Sequence, residues 1–437
     1  MIIDFSIKNF GPIKDEVTLS FEASNDKKLN DYYVVEPIKG VRLLKMILIY
    51  GSNASGKTTV LKALDLLRDL VIKPFDKKTQ GLDYDTFLFD KETKNGNSSF
   101  KINFIAKGTK YFYEIVFNKK AIIEENLYSY PNKAIVYKRT SNLEKQVAQI
   151  KTGSKIKLRE HDITALENVT LWNNTVLGGF LKVNIDFPIL KDVINWFKVT
   201  LKQMINPHTD LYGYVSSKME KGDVKKNDIL TLLKKADLMI EDIIPKQEDI
   251  PLDDKTIEKL EKINSIPEQD LQKIKSSRKI EMRKVTFLHR TDKVSDFLDY
   301  NQESLGTQRF YQLSGVLDML LRKGCVFPID ELENSLHPDL FEYFLRVYLA
   351  NSKTSQLVAT THFRELLMNR DMLRNDAIWF TEKKKDGSTD LFSLADFDSS
   401  VIRDTSSVYN AYKIGKLGAV PNLGDYYINL ENDEKDK

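Results

Sequence analysis

The stretch Gly51-Ser-Asn-Ala-Ser-Gly-Lys-Thr58 follows Lys45-Met-Ile-Leu-Ile-Tyr50, an apolar run of strand type, and leads into Thr59-Val-Leu-Lys-Ala-Leu-Asp-Leu-Leu-Arg68. It reads as strand, glycine loop and helix. A phosphate chain needs several inward N–H donors at close range and one mobile cation. A loop opened and closed by glycines and ending in Lys-Thr at a helix N-terminus supplies both. Lys57 is placed to reach the β and γ phosphates of a nucleotide, and Thr58 to hold Mg²⁺.

Such a loop needs a second acid for the metal and a group that activates water. Ile329-Asp330-Glu331 ends an apolar strand, where a parallel sheet presents ligands at its carboxyl edge. Asp330 can hold the water shell of the metal, and Glu331 can polarise an attacking water. His362 follows Gln356-Leu-Val-Ala-Thr-Thr361, again a strand end, where an imidazole can donate to a γ-phosphate. Ser304-Leu-Gly-Thr-Gln-Arg309 precedes a helix and reads either as a second anion-binding helix end or as a simple cap by Ser304 or Thr307.

Working outward, 437 residues exceed one small core and imply two or three compact parts. A net charge of +3 with 30% charged residues leaves no global field for nucleic acid, so any such contact has to come from a local patch. The single cysteine, Cys325, excludes an intramolecular disulfide and cysteine-rich zinc sites, and suits a reducing cytosol. No stretch has the apolar length of a membrane span or signal peptide, so the expected location is the cytoplasm, without a membrane partner.

Ile3, Phe5 and Ile7 alternate with polar residues, as do Val17-Thr-Leu-Ser-Phe21, which predicts a β-hairpin. Phe87-Leu-Phe89 and the runs 100–104, 111–117 and 121–127 continue that period and predict an antiparallel set. From about Asn174 the period becomes helical, through Val193, Trp196, Phe197, Thr200, Leu201 and Met204. A lysine-rich loop at 218–227, a helix over 228–238 capped by Asn227 or Asp228, and two charged helices broken at Pro267 follow. The last third alternates strand and helix, as a parallel sheet does.

The expected fold class is α/β: a P-loop NTPase with a mixed or parallel sheet, an N-terminal antiparallel β subdomain and a helical insertion. Its expected divisions are a first lobe at 1–150, a mainly helical insertion at 151–295, a second lobe at 296–425 and a flexible tail at 426–437.

Taken in order, Ile7-Lys-Asn-Phe-Gly-Pro-Ile13, Gly51 to Thr58, Glu303 to Arg309, Ile329-Asp-Glu-Leu-Glu-Asn-Ser-Leu-His-Pro338, Thr360-Thr-His362 and Tyr412-Lys-Ile-Gly-Lys-Leu-Gly-Ala-Val-Pro421 resemble an ABC-type ATPase head. The branch is that of the SMC, RecF and Rad50 proteins, with the bacterial RloA-like, OLD-related ATPases most similar. The resemblance implies a head-to-tail dimer, or a higher oligomer, with ATP and Mg²⁺ sandwiched between protomers. Gly51, Asn53, Ala54, Ser55, Gly56, Lys57, Thr58 and Thr59 of one chain would bind ATP, and Ser304 and Gly306 of the other would close on its γ-phosphate. Thr58 and Asp330 would serve the metal. Glu331 would be the catalytic carboxylate, His362 the switch histidine, and Ser335 and His337 a dimer-contact loop. Leu305 and Thr307 depart from the usual Leu-Ser-Gly-Gly-Gln signature, and Gln80 is the candidate for the glutamine that touches the metal.

The function so implied is an ATP-hydrolysing conformational switch in prokaryotic antiphage defence, acting with a separate effector such as a nuclease or toxin. With so few residues after Gly418-Ala-Val-Pro421, the expectation is a switch whose nuclease activity, if any, is supplied by that separate effector. Two alternatives stand beside it. One is a RecF- or Rad50-like DNA clamp using Lys218, Lys221, Lys225 and Lys226, although the insertion has no long heptad run and no Cys-x-x-Cys. The other is an ATP-binding scaffold with slow turnover.

Overall fold

The computed structural model describes residues 1–154, 156, 158–261, 268–397 and 408–421. The chain forms two compact units: Met1–Met204 with Val326–Glu331 and Gln356–Lys437, and Ile205–Cys325 with Leu332–Ser355. The expected boundaries at 150, 295 and 425 therefore do not separate them. A parallel sheet takes strands from distant parts of the chain, so its unit is discontinuous.

In the first unit, β1 (Met46–Gly51), β2 (Val326–Ile329), β3 (Gln356–Thr360), β4 (Ile378–Lys383) and β5 (Thr389–Ser393) form one sheet in the order β2-β3-β1-β4-β5. The first four are parallel, and β5 returns antiparallel to β4. Every residue of β1, β2 and β3 is buried, which is why those segments read as unbroken apolar runs. Helix α1 (Lys57–Ile72) buries Val60, Leu61, Leu64, Leu67 and Val71 on one stripe. The fold is α/β with a mixed sheet.

The same unit carries a seven-stranded antiparallel sheet that begins with Ile2–Lys8 paired to Val17–Ser20, Phe5 opposite Leu19. Ser98–Ala106, Thr109–Phe117 and Ile122–Ser129 follow as the alternation predicts. Ala134–Asn142 and Val147–Thr152 extend the sheet beyond that prediction, because charged residues interrupt their period and one, Arg139, points inward and is fully buried. Phe87-Leu-Phe89 is not a strand: Leu88 and Phe89 are exposed just ahead of a short helix capped by Asp90.

The second unit holds the helix Tyr212–Glu220, α2 (Lys226–Lys235), α3 (Leu305–Arg322) and α4 (Pro338–Asn351). It also holds an antiparallel sheet of Ile240–Pro251, Lys279–Arg290 and Ser295–Asp299. The expected helical insertion thus contains two twelve-residue strands. Proline and charge hide their alternation, and each is stabilised by a partner distant in sequence. Two further corrections concern helix ends. The stretch expected as a loop at 218–227 is helical through Glu220, and α2 starts after Lys225 with no side-chain cap, Asp228 lying inside its first turn. The expected break at Pro267 and the tail at 426–437 lie outside the described residues.

Candidate functional site

The phosphate loop leaves the buried end of β1 and turns through left-handed backbone at Ala54 (φ 59°) and Gly56 (φ 99°). Gly56 has a second reason to be glycine, since a Cβ there would lie 2.6 Å from Thr389 Oγ1. Gly51 is equally confined, with Thr381 Oγ1 2.4 Å from its would-be Cβ. No side chain caps α1, and the Thr59 N–H donates to the Gly56 carbonyl at 3.0 Å; a helix N-terminus without a side-chain cap suits an anion.

Lys57 is buried, and its ammonium donates to the Gly51 and Ser52 carbonyls at 2.8 and 3.0 Å. Ser55 turns its side chain away from the loop cavity, bonding Thr381 Oγ1 at 2.6 Å, while Thr389 Oγ1 donates to the Ser55 carbonyl at 2.9 Å. Its part in anion binding is left to the backbone. The β4–β5 pair therefore braces the loop from behind. Thr59 packs against Gly11, whose would-be Cβ lies 3.2 Å from Thr59 Cγ2.

Thr58 Oγ1 lies 3.0 Å from both carboxylate oxygens of Asp330. Thr360 Oγ1, on the neighbouring strand β3, donates to Asp330 Oδ1 at 2.6 Å and accepts the Glu331 N–H at 2.8 Å. Glu331 takes left-handed backbone (φ 46°), an unfavourable conformation for a non-glycine residue. That turn separates the two carboxylates: Asp330 is buried against Thr58, and Glu331 is half-exposed, its Oε1 3.8 Å from His362 Nε2. The first unit thus brings together Lys57, Thr58, Asp330, Glu331 and His362.

Asn53 is exposed and, with Gly51, Ser52, His362, Arg364 and Tyr412, lines a cavity of about 580 Å³. Tyr412, on the helix Val408–Lys413, accepts a hydrogen bond from the Gly51 N–H and donates to the Ala419 carbonyl at 3.2 Å. Burial pushes its hydroxyl above the ordinary phenol range. The terminal Gly-Ala-Val-Pro turn is thereby tied to the first glycine of the phosphate loop. Gly418 is required in that turn, because a Cβ would meet the Glu382 carboxylate at 2.7 Å.

Ser304, Gly306, Ser335 and His337 belong to the second unit. Ser304 caps α3, its Oγ accepting the Thr307 N–H at 3.1 Å. Gly306 faces the Ser335 carbonyl, 3.3 Å from its would-be Cβ, and Ser335 is itself left-handed (φ 63°). His337 caps α4 through Nδ1, which accepts the Asp339 N–H. Leu305 between these caps is 73% exposed. Gln80 does not fit its expected place: its side-chain oxygen accepts from the Asp76 and Lys77 N–H groups at 3.1 and 3.0 Å, closing a local turn.

Sequence reasoning missed Thr360, Thr381, Thr389 and Tyr412. A threonine within an apolar strand run is the signal in the first two, since a buried hydroxyl needs a partner. Thr389 and Tyr412 have no such local signature.

A family model described as an AAA ATPase domain matches residues 1–366. The chain belongs to the AAA ATPase domain family. No curated protein matches the chain. Among solved structures, the SMC head domain from Thermotoga maritima is 12% identical, with 90% of this chain and 98% of that chain covered and a TM-score of 0.41. An SMC head bound to the C-terminal winged-helix domain of ScpA is 13% identical, with 94% and 99% covered and a TM-score of 0.42. An SMC head with an extended coiled coil, bound to the C-terminal domain of ScpA derived from Pyrococcus furiosus, is 12% identical, with 95% and 98% covered and a TM-score of 0.36.

In this AAA ATPase domain no group of three or more His, Cys, Asp or Glu residues converges among the described residues. The oxygen donors Thr58 and Asp330 alone suit a hard cation that keeps water and phosphate oxygens in its shell, which is the habit of Mg²⁺. No helix among the described residues is long and apolar enough to cross a membrane.

Proposed function

We propose that this chain hydrolyses ATP and uses the cycle as a dimeric switch of the RloA-like, OLD-related kind, acting in antiphage defence beside a separate effector in the cytoplasm. The observation that carries the hydrolytic part is the bonded series Thr58, Asp330, Thr360 and Glu331 beside Lys57. Lys57 would exchange its two carbonyl partners for the β and γ phosphates. Thr58 and Asp330 would hold Mg²⁺, which when bound neutralises phosphate charge. Glu331, turned out of the buried site, would take a proton from water, and His362 would donate to the γ-phosphate.

Ser304 and Gly306 would close on the γ-phosphate of a second copy, with Ser335 and His337 beside them. ATP would then hold two chains together only while its γ-phosphate remains. The DNA-clamp reading has less support, because two lysines it relies on are already paired: Lys218 with Asp223 at 2.8 Å and Lys226 with Asp242 at 2.7 Å.

Glu331→Gln tests the reading. Turnover should fall about 10²- to 10⁴-fold while ATP affinity stays within about threefold. Light scattering should show ATP-dependent dimers that persist in the variant. Equal phosphate release from the two proteins would leave Glu331 without a catalytic part and favour the scaffold.

A further inference from the structure

A second cavity lies wholly within the second unit, where three helices each present one face. Asp228, Thr231, Leu232 and Lys235 of α2 repeat at helical spacing, as do Asp318, Leu321 and Arg322 of α3, and Tyr343, Val347 and Asn351 of α4. The cavity measures about 370 Å³, the size of a small-molecule site rather than a packing defect.

Its polar groups are unequally satisfied. Arg322 is committed on two sides, its Nε donating to Asp318 Oδ1 at 2.7 Å and a terminal nitrogen pairing with Asp228. Asp318 is 2% exposed, yet its second oxygen, Oδ2, has no hydrogen-bond partner among the described residues. The buried hydroxyl of Tyr343 likewise has none. A buried carboxylate oxygen without a donor costs stability, so such a group is expected either to be remodelled or to receive a ligand. Leu232, Leu321 and Val347 make part of the wall apolar, which suits a carbon body better than water alone.

The geometry points to a binding site for a small molecule that carries a primary ammonium on a short apolar body, the ammonium donating to Asp318 Oδ2 and Tyr343 accepting or donating beside it. The site is independent of the ATPase reading. It lies toward the far end of the helix whose first turn is capped by Ser304, so an occupant would act on the same rigid element as the nucleotide signature.

The test uses the full chain and n-pentylamine as the probe, with 1-pentanol and pentanoate as controls of the same shape and different charge, followed by calorimetric titration. Pentylamine should bind saturably in the millimolar range or below, with both controls at least about tenfold weaker. Asp318→Asn should weaken pentylamine by about tenfold or more, and Tyr343→Phe by a smaller factor. Binding should strengthen from about pH 5 to pH 7, because burial pushes the Asp318 carboxyl up to about 6. The charged groups facing it are Asp228 and Lys235 of α2 and Arg322 of α3, with the Tyr343 hydroxyl on α4 and Lys225 and Lys323 further off. No saturable binding of pentylamine, equal binding of pentanol, or unchanged binding in both variants would each overturn the assignment.

Discussion

Replacing Gly56 by alanine separates two reasons for that glycine. The backbone at φ 99° is left-handed, and an L-residue there costs about 1–2 kcal/mol. The new methyl would also lie 2.6 Å from Thr389 Oγ1 and 2.8 Å from Thr389 Cγ2, so Thr389 must move. It is not free to do so cheaply, since its N–H bonds the Pro12 carbonyl at 2.8 Å and its hydroxyl bonds the Ser55 carbonyl at 2.9 Å. Overpacking of this kind costs about 1–3 kcal/mol, and the lost hydroxyl bond about 1 kcal/mol more. The sum for Gly56→Ala is roughly 3–6 kcal/mol.

Thr389→Ala alone forfeits the hydroxyl bond and a methyl group, about 2 kcal/mol together. In the double variant the two shortest overlaps are gone, while the Cβ at position 389, 3.2 Å away, and the left-handed backbone remain. The pair should therefore be less destabilised than the sum of the singles by roughly 2–4 kcal/mol, the relieved overlap plus a hydroxyl bond that is lost once rather than twice. Calorimetric melting of the full chain reads this out, Gly56→Ala lowering the Tm of the first unit by roughly 10 °C. A Tm within about 2 °C of the parent, or strictly additive costs, would refute the claim that β5 braces the phosphate loop.

Thr360→Val keeps shape while removing the hydroxyl that joins Asp330 to the Glu331 N–H, so it should cost about 2–3 kcal/mol. Phosphate release should fall more than ATP affinity, measured as kcat against KM. Arg139→Met removes the cation from a buried group in which Glu125 accepts from Tyr113, Tyr137 and the Val176 N–H, and should cost about 3–5 kcal/mol in chemical denaturation. Burial raises the Asp376 carboxyl, but hydrogen bonds from Arg374 and Ser24 and the charge of Arg374 outweigh it, and the group sits below the ordinary 3.8. Its stabilising contribution is thus full above that ordinary value and is lost as pH falls through the lowered one. The Tm gap between the parent and Asp376→Asn should narrow below about pH 4.

The segments legible in the sequence are those whose signal is local. The buried strands Met46–Gly51, Val326–Ile329 and Gln356–Thr360 are apolar throughout, and the phosphate loop carries its glycines and Lys-Thr in one run. Ile240–Pro251 and Lys279–Arg290 were hidden because their stability comes from pairing across more than a whole helix pair of intervening chain. Arg139 was hidden for a related reason: a charge inside a sheet breaks the apolar period, and the distant Ile122 and Trp172 carbonyls that accept from it, with the charge of Glu125, offset its burial. Gln80 failed because its neighbours Asp76 and Lys77 offer N–H groups that its side chain takes first.

The same distinction decides what the Asp330-Glu331 pair can do. Adjacent acids after a strand could equally share one buried pocket, where like charges would force one of them to hold a proton. The left-handed turn at Glu331 prevents this by sending the second carboxylate outward to His362, and that turn persists because Thr360 holds the Glu331 N–H while its hydroxyl hydrogen is spent on Asp330. One hydroxyl on the neighbouring strand therefore assigns the two acids to different positions, one against Thr58 and one toward His362. Metal charge and proton transfer can then be served by adjacent residues without competing for the same space. The separation depends on the pairing of β2 with β3, so the division of labour at the site is a property of the sheet rather than of the two-residue motif.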